Sequence, residues 1–397
     1  MQLAIRLLEY FCLALALPAM LASLYLLLLT LLSGATPVPS KSQRRIRFDV
    51  IVPAHNEATV IQRTVASLRK IDWPADRFRI LVVADNCSDT TAALAREAGA
   101  EVLERFNDKQ RGKGYALNYA FQHSLNANMA DAVVVVDADA EVSTNILEAF
   151  AARIECGAQA VQAHYGVLNP MASWRTRLIT IAKASFHIVR SRARERLGVS
   201  CGIRGNGWCV THNLLRAVPY EAYSLTEDLE YGIDLGMAGY RVAYADEAHS
   251  DADMVTGEQV ASKQRRRWED GRFQLVRSKT FPLLLAAAKK RSATCLDLAM
   301  DLLVLPLSYV VLNVFGLIVV SIFVSTLQGH LNFWLWIGMM CSASLLLYVV
   351  RGWQLSGIGA QGIIDLARAP GFLVWKLLLM LRRKESNEWI RTDRERP

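Results

Sequence analysis

The sequence is poor in the residues that staple small folds or pin metals. Its seven cysteines, Cys12, Cys87, Cys156, Cys201, Cys209, Cys295 and Cys341, are scattered through 397 residues with no CxxC pair. Neither a disulfide framework nor a zinc site follows from that scatter. A GxxxxGK[ST] phosphate loop is also missing. The nearest approach, "RGKGYALN", sets Lys113 between Gly112 and Gly114 without the required spacing, which counts against a kinase or ATPase. There is no internal repeat and no low-complexity tract, so the chain reads as globular, with room for one large domain or two smaller ones.

Apolar residues make up 52% of the chain and are unevenly spread. Residues 13–32, "LALALPAMLASLYLLLLTLL", carry no charge, and about 20 such positions suffice to cross a hydrocarbon core of roughly 30 Å. A membrane helix is expected there, with Pro18 tolerated inside it. The "SGA" that follows keeps a cleaved signal peptide as the alternative. Residues 302–327 and 331–350 form two further apolar blocks around a polar "QGHLN", which predicts a helical hairpin. Lys41, Arg44, Arg45 and Arg47 follow the first span, and Lys289, Lys290 and Arg291 precede the second. Basic flanks favour the cytoplasm, so the segment between them is expected there, with the N-terminus outside. Residues 363–381 contain Asp365, Arg368 and Lys376 and are expected to form an interfacial amphipathic helix. The resulting division is 1–40 for the first span and linker, 41–280 for a cytoplasmic domain, and 281–397 for the hairpin (about 302–350), interfacial helix and basic tail. The net charge of +8 fits attraction to anionic headgroups. Nucleic acid is not expected as a partner, because stacking aromatics are missing and the basic clusters hug the spans.

Within the cytoplasmic segment strand and helix patterns alternate. "FDVIVP", "RILVVAD", "EVLER" and "DAVVVVD" read as strands, with helices near 59–70, 90–98 and 114–125. Continuous Val and Ile runs point to strands covered on both faces, hence an α/β parallel sheet. Ligands of such sheets bind beyond the carboxyl ends of the strands. Those ends here carry "PAHNE", "ADNCSD" and "DADA", a set suited to a nucleotide.

Asp137 and Asp139 flank one residue after a strand. Two carboxylates so close need a cation or a proton between them, and Mg²⁺ held by one or two carboxylates and substrate phosphates fits. In "SLTEDLEYG", Thr226 could cap a helix opened by Glu227 and Asp228, which leaves room for a base. If "KQRRRWEDGR" (263–272) is helical, Gln264, Arg267 and Trp268 share one face. A guanidinium matches phosphate geometry and an indole stacks on sugar faces.

The ordered series "VIVPAHNE", "VVADNCSD", "KGYALN", "DAD", "TED" and "QRRRW" resembles the membrane-bound family 2 glycosyltransferases, among them cellulose, hyaluronan and poly-N-acetylglucosamine synthases and, more distantly, ceramide glucosyltransferases. The resemblance covers about residues 48–280 and the flanking spans. It implies a GT-A (nucleotide-diphospho-sugar transferase) fold and an inverting transfer from a UDP-sugar. It places Ala54, Glu57 and Asp85 at the nucleoside with Lys113 nearby, Asp137 on the nucleotide, and Asp139 on Mg²⁺ or Mn²⁺. Glu227 then binds substrate, Asp228 is the general base, and Gln264, Arg267 and Trp268 hold diphosphate and acceptor. The second motif reads "ADN" where many relatives have two adjacent acids, leaving Asp85 alone there. His249 is either a third metal ligand or a loop histidine. The helix-like stretch 173–198 is expected to lie on the membrane or pack in the core.

Three readings follow. The first is polysaccharide synthesis on a membrane-associated glycan. The second is non-processive glycosylation of a lipid, since three spans form a conduit only sparsely or through oligomers. The third is a regulatory pseudoenzyme that holds a nucleotide sugar without turnover.

Overall fold

The computed structural model describes residues 2–254 and 258–368. Eight strands form one sheet: β1 (Phe48–Ala54), β2 (Phe78–Asp85), β3 (Glu101–Arg105), β4 (Ala132–Val135), β5 (Ala140–Val142), β6 (Ala160–Val167), β7 (Trp208–Thr211) and β8 (Val242–Ala252). Their spatial order is β3-β2-β1-β4-β7-β6-β8-β5. The pairs β1–β2, β1–β4 and β2–β3 are parallel. Beyond β4 the all-parallel expectation is corrected. β7 runs antiparallel to both β4 and β6, and β5 is antiparallel to β8. Long excursions separate these strands in sequence, so sheet neighbours are not chain neighbours and the direction of each is free to reverse.

Alternation along β1, β2 and β4 sends Val50, Val52, Val82 and Val134 to one face and Ile51, Leu81, Val83, Val133 and Val135 to the other, all buried. Helices Ile61–Leu68 and Ile146–Glu155 cover the first face through Ile61, Val65 and Phe150. Helices Lys113–Ala127 and Glu227–Met237 cover the second through Leu117, Phe121, Tyr231 and Leu235. Each fully buried side chain of this size contributes about 1.5–3 kcal/mol, which is why both faces read as unbroken Val and Ile.

Three helices are long and apolar enough to cross a membrane: Gln2–Leu31, Leu307–Gln328 and Phe333–Ser356. They pack through Leu26, Leu29, Val314, Leu317 and Leu345. The turn between the last two runs from Gly329, which is left-handed at φ 73°, to Asn332, whose side chain accepts from the Trp334 N–H. The apolar block expected as one helix over 302–327 is instead broken. Helix Ala293–Leu303 stops at Val304 in an extended conformation, and the next helix starts after Pro306. Proline supplies no N–H and disfavours helix in the residue before it. Stretch 173–198 forms helix Trp174–Lys183, a π-helical segment Ala184–Val189 and helix Arg190–Arg196. It packs on helix Phe333–Ser356, where the Tyr348 hydroxyl donates to Ser185 O at 2.9 Å. Of the amphipathic helix expected over 363–381, only the start is described, inside helix Ala360–Leu366; residues 369–381 lie outside the described residues.

Candidate active site

The site lies at the carboxyl edge of the parallel strands. β1 and β2 each end in a turn whose asparagine takes the left-handed conformation, Asn56 at φ 54° and Asn86 at φ 51°. Asparagine tolerates that region because its short amide bonds locally. The Asn56 side chain accepts from Ser88 N at 2.8 Å and the Asn86 side chain from Asn107 N at 2.7 Å, which ties the two turns to their neighbours. Ala54 closes β1, and its carbonyl faces the Cys87 thiol at 3.5 Å. Glu57 donates its N–H to Thr91 Oγ1 at 2.8 Å. Asp85 is buried, and its carboxylate meets Arg105 Nη1 at 2.5 Å. A recess of about 340 Å³ opens here, lined by residues that include His55, Asn56, Asn86 and Phe106.

A second group stands beyond β4. Helix Lys113–Ala127 begins so close to residue 222 that a Cβ on Gly114 would sit 2.3 Å from Ala222 O. The approach aims Lys113 inward: its Nζ lies 2.6 Å from Asp137 Oδ1 and 3.5 Å from Glu227 Oε1, and it donates to Gly205 O at 2.9 Å. Burial opposes the charge on Lys113, but Asp137 and Glu227 outweigh it and raise the pKa. Asp228 is half-buried. Burial first, then the Glu227 charge, push its pKa from 3.8 up to about 7, with Lys113 pulling the other way.

Tyr165, on β6, marks where these elements converge. Burial and then the charges of Asp137, Asp139 and Asp228 drive its pKa well above 10, with Arg267 opposing them. Lys183 Nζ lies 3.2 Å from the centroid of its ring. Burial takes Lys183 down to about 7 against the pull of Asp139, Asp251 and Asp137.

Arg267 belongs to helix Glu258–Lys290, which crosses the start of helix Glu227–Met237 at Gly271. A Cβ on Gly271 would fall 2.7 Å from Thr226 Cγ2. Arg267 Nε is buried with no hydrogen-bond partner among the described residues. Gln264 is half-buried and Trp268 is 38% exposed. The expectation that Thr226 caps the acidic helix is corrected: it occupies the cap position without a side-chain cap bond, and its hydroxyl is buried with no hydrogen-bond partner among the described residues.

Lys113, Asp137, Asp139, Glu227, Asp228 and Arg267 therefore gather around Tyr165. Ala54, Glu57 and Asp85 lie at the ends of β1 and β2, next to the recess-lining His55, Asn56 and Asn86, and Arg105, paired with Asp85, brings its guanidinium 6.0 Å from the Tyr115 ring, two residues from Lys113. His249 is in β8 rather than a loop, and its Nδ1 lies 2.8 Å from Asp251 Oδ2. Among the described residues no three His, Cys, Asp or Glu side chains gather as a metal cage. One carboxylate, Asp139, beside an Asp137 already bound by Lys113, suits a hard divalent cation completed by substrate phosphates.

Sequence reasoning missed Tyr165, Lys183 and Arg105. Only Arg105, ending "EVLER" at a strand's carboxyl edge, carried a readable signal.

A family model described as "Glycosyltransferase like family 2" matches residues 45–271, more than half of the chain. The chain belongs to the family 2 glycosyltransferases. This glycosyltransferase is 27% identical over 239 residues to the probable glycosyltransferase YdaM of Bacillus subtilis, covering 58% of this chain and 56% of that one. It is 29% identical over 234 residues to the beta-monoglucosyldiacylglycerol synthase of Synechocystis, covering 57% of this chain and 47% of that one. The chain thus spans about half the length of these relatives. The mannosyltransferase PcManGT of Pyrobaculum calidifontis, solved with GDP-Man and Mn²⁺, aligns at TM-score 0.51 and 19% identity, covering 87% of this chain and 98% of that one. The fold is GT-A.

Proposed function

We propose that this family 2 glycosyltransferase moves a sugar from a UDP-sugar to a membrane-associated glycan acceptor, with inversion at the anomeric carbon. The gathering of Asp137, Asp139, Asp228 and Arg267 around Tyr165 carries the reading. Ala54, Glu57 and Asp85 hold the nucleoside. Lys113 fixes Asp137 against the nucleotide, and Glu227 fixes Lys113. Asp139 would hold Mg²⁺ or Mn²⁺, which would supply positive charge to neutralise the donor diphosphate. An acceptor hydroxyl oxygen bonds to the anomeric carbon as the bond from that carbon to the diphosphate oxygen breaks. Asp228 takes the hydroxyl proton, and the nucleoside diphosphate leaves with the bonding pair. A carboxylate with a pKa near 7 suits general-base work at neutral pH. Arg267 steadies the departing diphosphate, and Gln264 and Trp268 complete the acceptor side.

The three apolar helices, with Leu3, Leu7, Phe315 and Phe323 exposed on their surfaces, support an integral membrane protein. Lys41, Arg44, Lys289 and Lys290 support a cytoplasmic domain over 41–280, between membrane segments 1–40 and 281–397. Similarity to a beta-monoglucosyldiacylglycerol synthase favours a second reading, a single addition to a lipid. Incubating the purified chain with labelled UDP-sugars and Mg²⁺ or Mn²⁺, then sizing the products, tests both. A ladder supports polymer synthesis and one lipid-borne product the alternative. Turnover is expected to vanish with chelator and return with metal; no turnover with any nucleotide sugar would refute the reading.

A further inference from the structure

Between the sheet domain and the apolar helices four arginines are buried together: Arg190, Arg194, Arg204 and Arg272, each under 10% exposed. Among the described residues two carboxylates answer them. Asp301 Oδ1 lies 2.7 Å from Arg190 Nη1 and 2.9 Å from Arg194 Nη2, and Asp297 Oδ2 lies 3.0 Å from Arg194 Nε. Arg204 and Arg272 make no ion pair among the described residues. Arg204 donates Nε to Cys201 O at 3.0 Å, and Arg272 donates to the carbonyls of Asp301 and Val304. Arg204 Nη2 and Arg272 Nε remain buried without a partner. Arginine cannot shed its charge at neutral pH, and an uncompensated buried charge is costly. Among the described residues the cluster therefore holds two more cations than anions, with two donors left without an acceptor.

The surplus is organised around one ring. The guanidinium centres of Arg204, Arg190 and Arg272 lie 4.3, 4.8 and 5.9 Å from the Phe186 centroid. Phe186 is only half-buried, so the cluster reaches the surface there. It sits in the π-helical segment Ala184–Val189, a distortion found frequently at functional sites. The cluster also adjoins the reaction centre. Residue 205 follows Arg204 directly; it accepts the Lys113 hydrogen bond, and a Cβ on it would be 3.4 Å from Asp228 Oδ2. The His187 ring, next to Phe186, lies tilted against Tyr165 with centroids 5.2 Å apart.

We propose that Arg204 and Arg272 form an anion site for the phosphate of a membrane amphiphile bound beside the reaction centre. The proposal deepens the glycosyltransferase reading and rests on it. Phosphate geometry matches guanidinium donors. The position, between apolar helices and the carboxylate assigned as base, lets an amphiphile keep its chain in lipid while its head sits beside the reaction centre.

The test uses the full chain in neutral detergent, titrated with dodecyl phosphate, dodecyl maltoside or inorganic phosphate while thermal unfolding is followed. UDP binding with Mn²⁺ is measured separately by calorimetry. Dodecyl phosphate is expected to raise Tm in a saturable way, where dodecyl maltoside does not and inorganic phosphate does so only weakly. Arg204→Gln and Arg272→Gln are expected to weaken that response at least tenfold with UDP affinity within twofold of wild type, and Arg204→Lys to restore most of it. An absent dodecyl phosphate response in the unmutated chain overturns the proposal, whether or not the variants fold. Equal responses to inorganic phosphate, or unchanged responses in both Gln variants, also overturn it. The two readings fail separately: without UDP binding the donor assignment falls, whereas a flat dodecyl phosphate titration with UDP bound sinks the anion site.

Discussion

Asp228 illustrates how a carboxylate's surroundings set its protonation. Its pKa near 7 means that a substantial fraction is protonated in neutral buffer, and only the ionised fraction can accept a proton. The expected kcat/KM for transfer therefore climbs with pH to a plateau, with a midpoint of about 7, in initial-rate assays from pH 5.5 to 8.5. Asp228→Asn should lower turnover by about 10²–10⁴-fold while UDP still binds, checked by pairing radiolabel transfer with calorimetry. The same shift has a stability cost of definite sign. The unfolded chain ionises this carboxyl near 3.8, so stability falls as pH rises from there to about 7 and the penalty is complete above that. The Asn variant should consequently melt higher than wild type at pH 8. An inactive variant that melts lower would point to a structural role for Asp228 instead.

At the scale of elements, Gly271 decides how closely the "QRRRW" helix approaches the start of the "TED" helix. Gly271→Val places methyl groups where Thr226 already stands, and overpacking of this kind costs typically 1–3 kcal/mol. A lower Tm and a larger loss in kcat than in UDP affinity are expected from melting curves and steady-state rates, since Arg267 is displaced relative to Asp228. Elements were the most legible part of the sequence. The Val and Ile runs of β1, β2 and β4 announced themselves because both faces are buried, and the charge-free stretches announced the three long helices. Strands β5 and β7 did not: three or four residues long, they owe their direction to distant partners. Pro306 was visible, but uniform apolarity hid the break it makes. Within the site, Asp137, Asp139 and Arg267 stood out through spacing and Asp228 through the family resemblance, whereas Tyr165 and Lys183 bear on them only after β6 and the following helix are placed. Thr226 looked like a cap because capping signals are local, but in the folded chain its backbone stands at φ −130°, ψ 59° and its side chain makes no cap bond.

On the scale of the whole molecule, one network of ion pairs and hydrogen bonds joins helices Arg190–Arg196 and Ala293–Leu303 to the long apolar helices. Arg194 donates to the Tyr25 hydroxyl at 2.6 Å and Arg190 to the Tyr348 hydroxyl at 2.9 Å, so the first and last long helices are held by side chains of one short helix. Asp301 lies between both arginines. Removing one partner of a buried pair typically costs 3–5 kcal/mol, and Asp301→Ala is expected to lower Tm and speed proteolysis near residue 190, followed by melting and limited digestion. The network bears on anyone who would excise a water-soluble catalytic fragment. Scissors applied at residue 271 or 280 part Arg190 and Arg194 from Asp297 and Asp301, stranding like charges on a newly bared greasy face. Such a truncation should clump on gel filtration, and carrying the cut past Val304 would bring the acids along with the domain they neutralise.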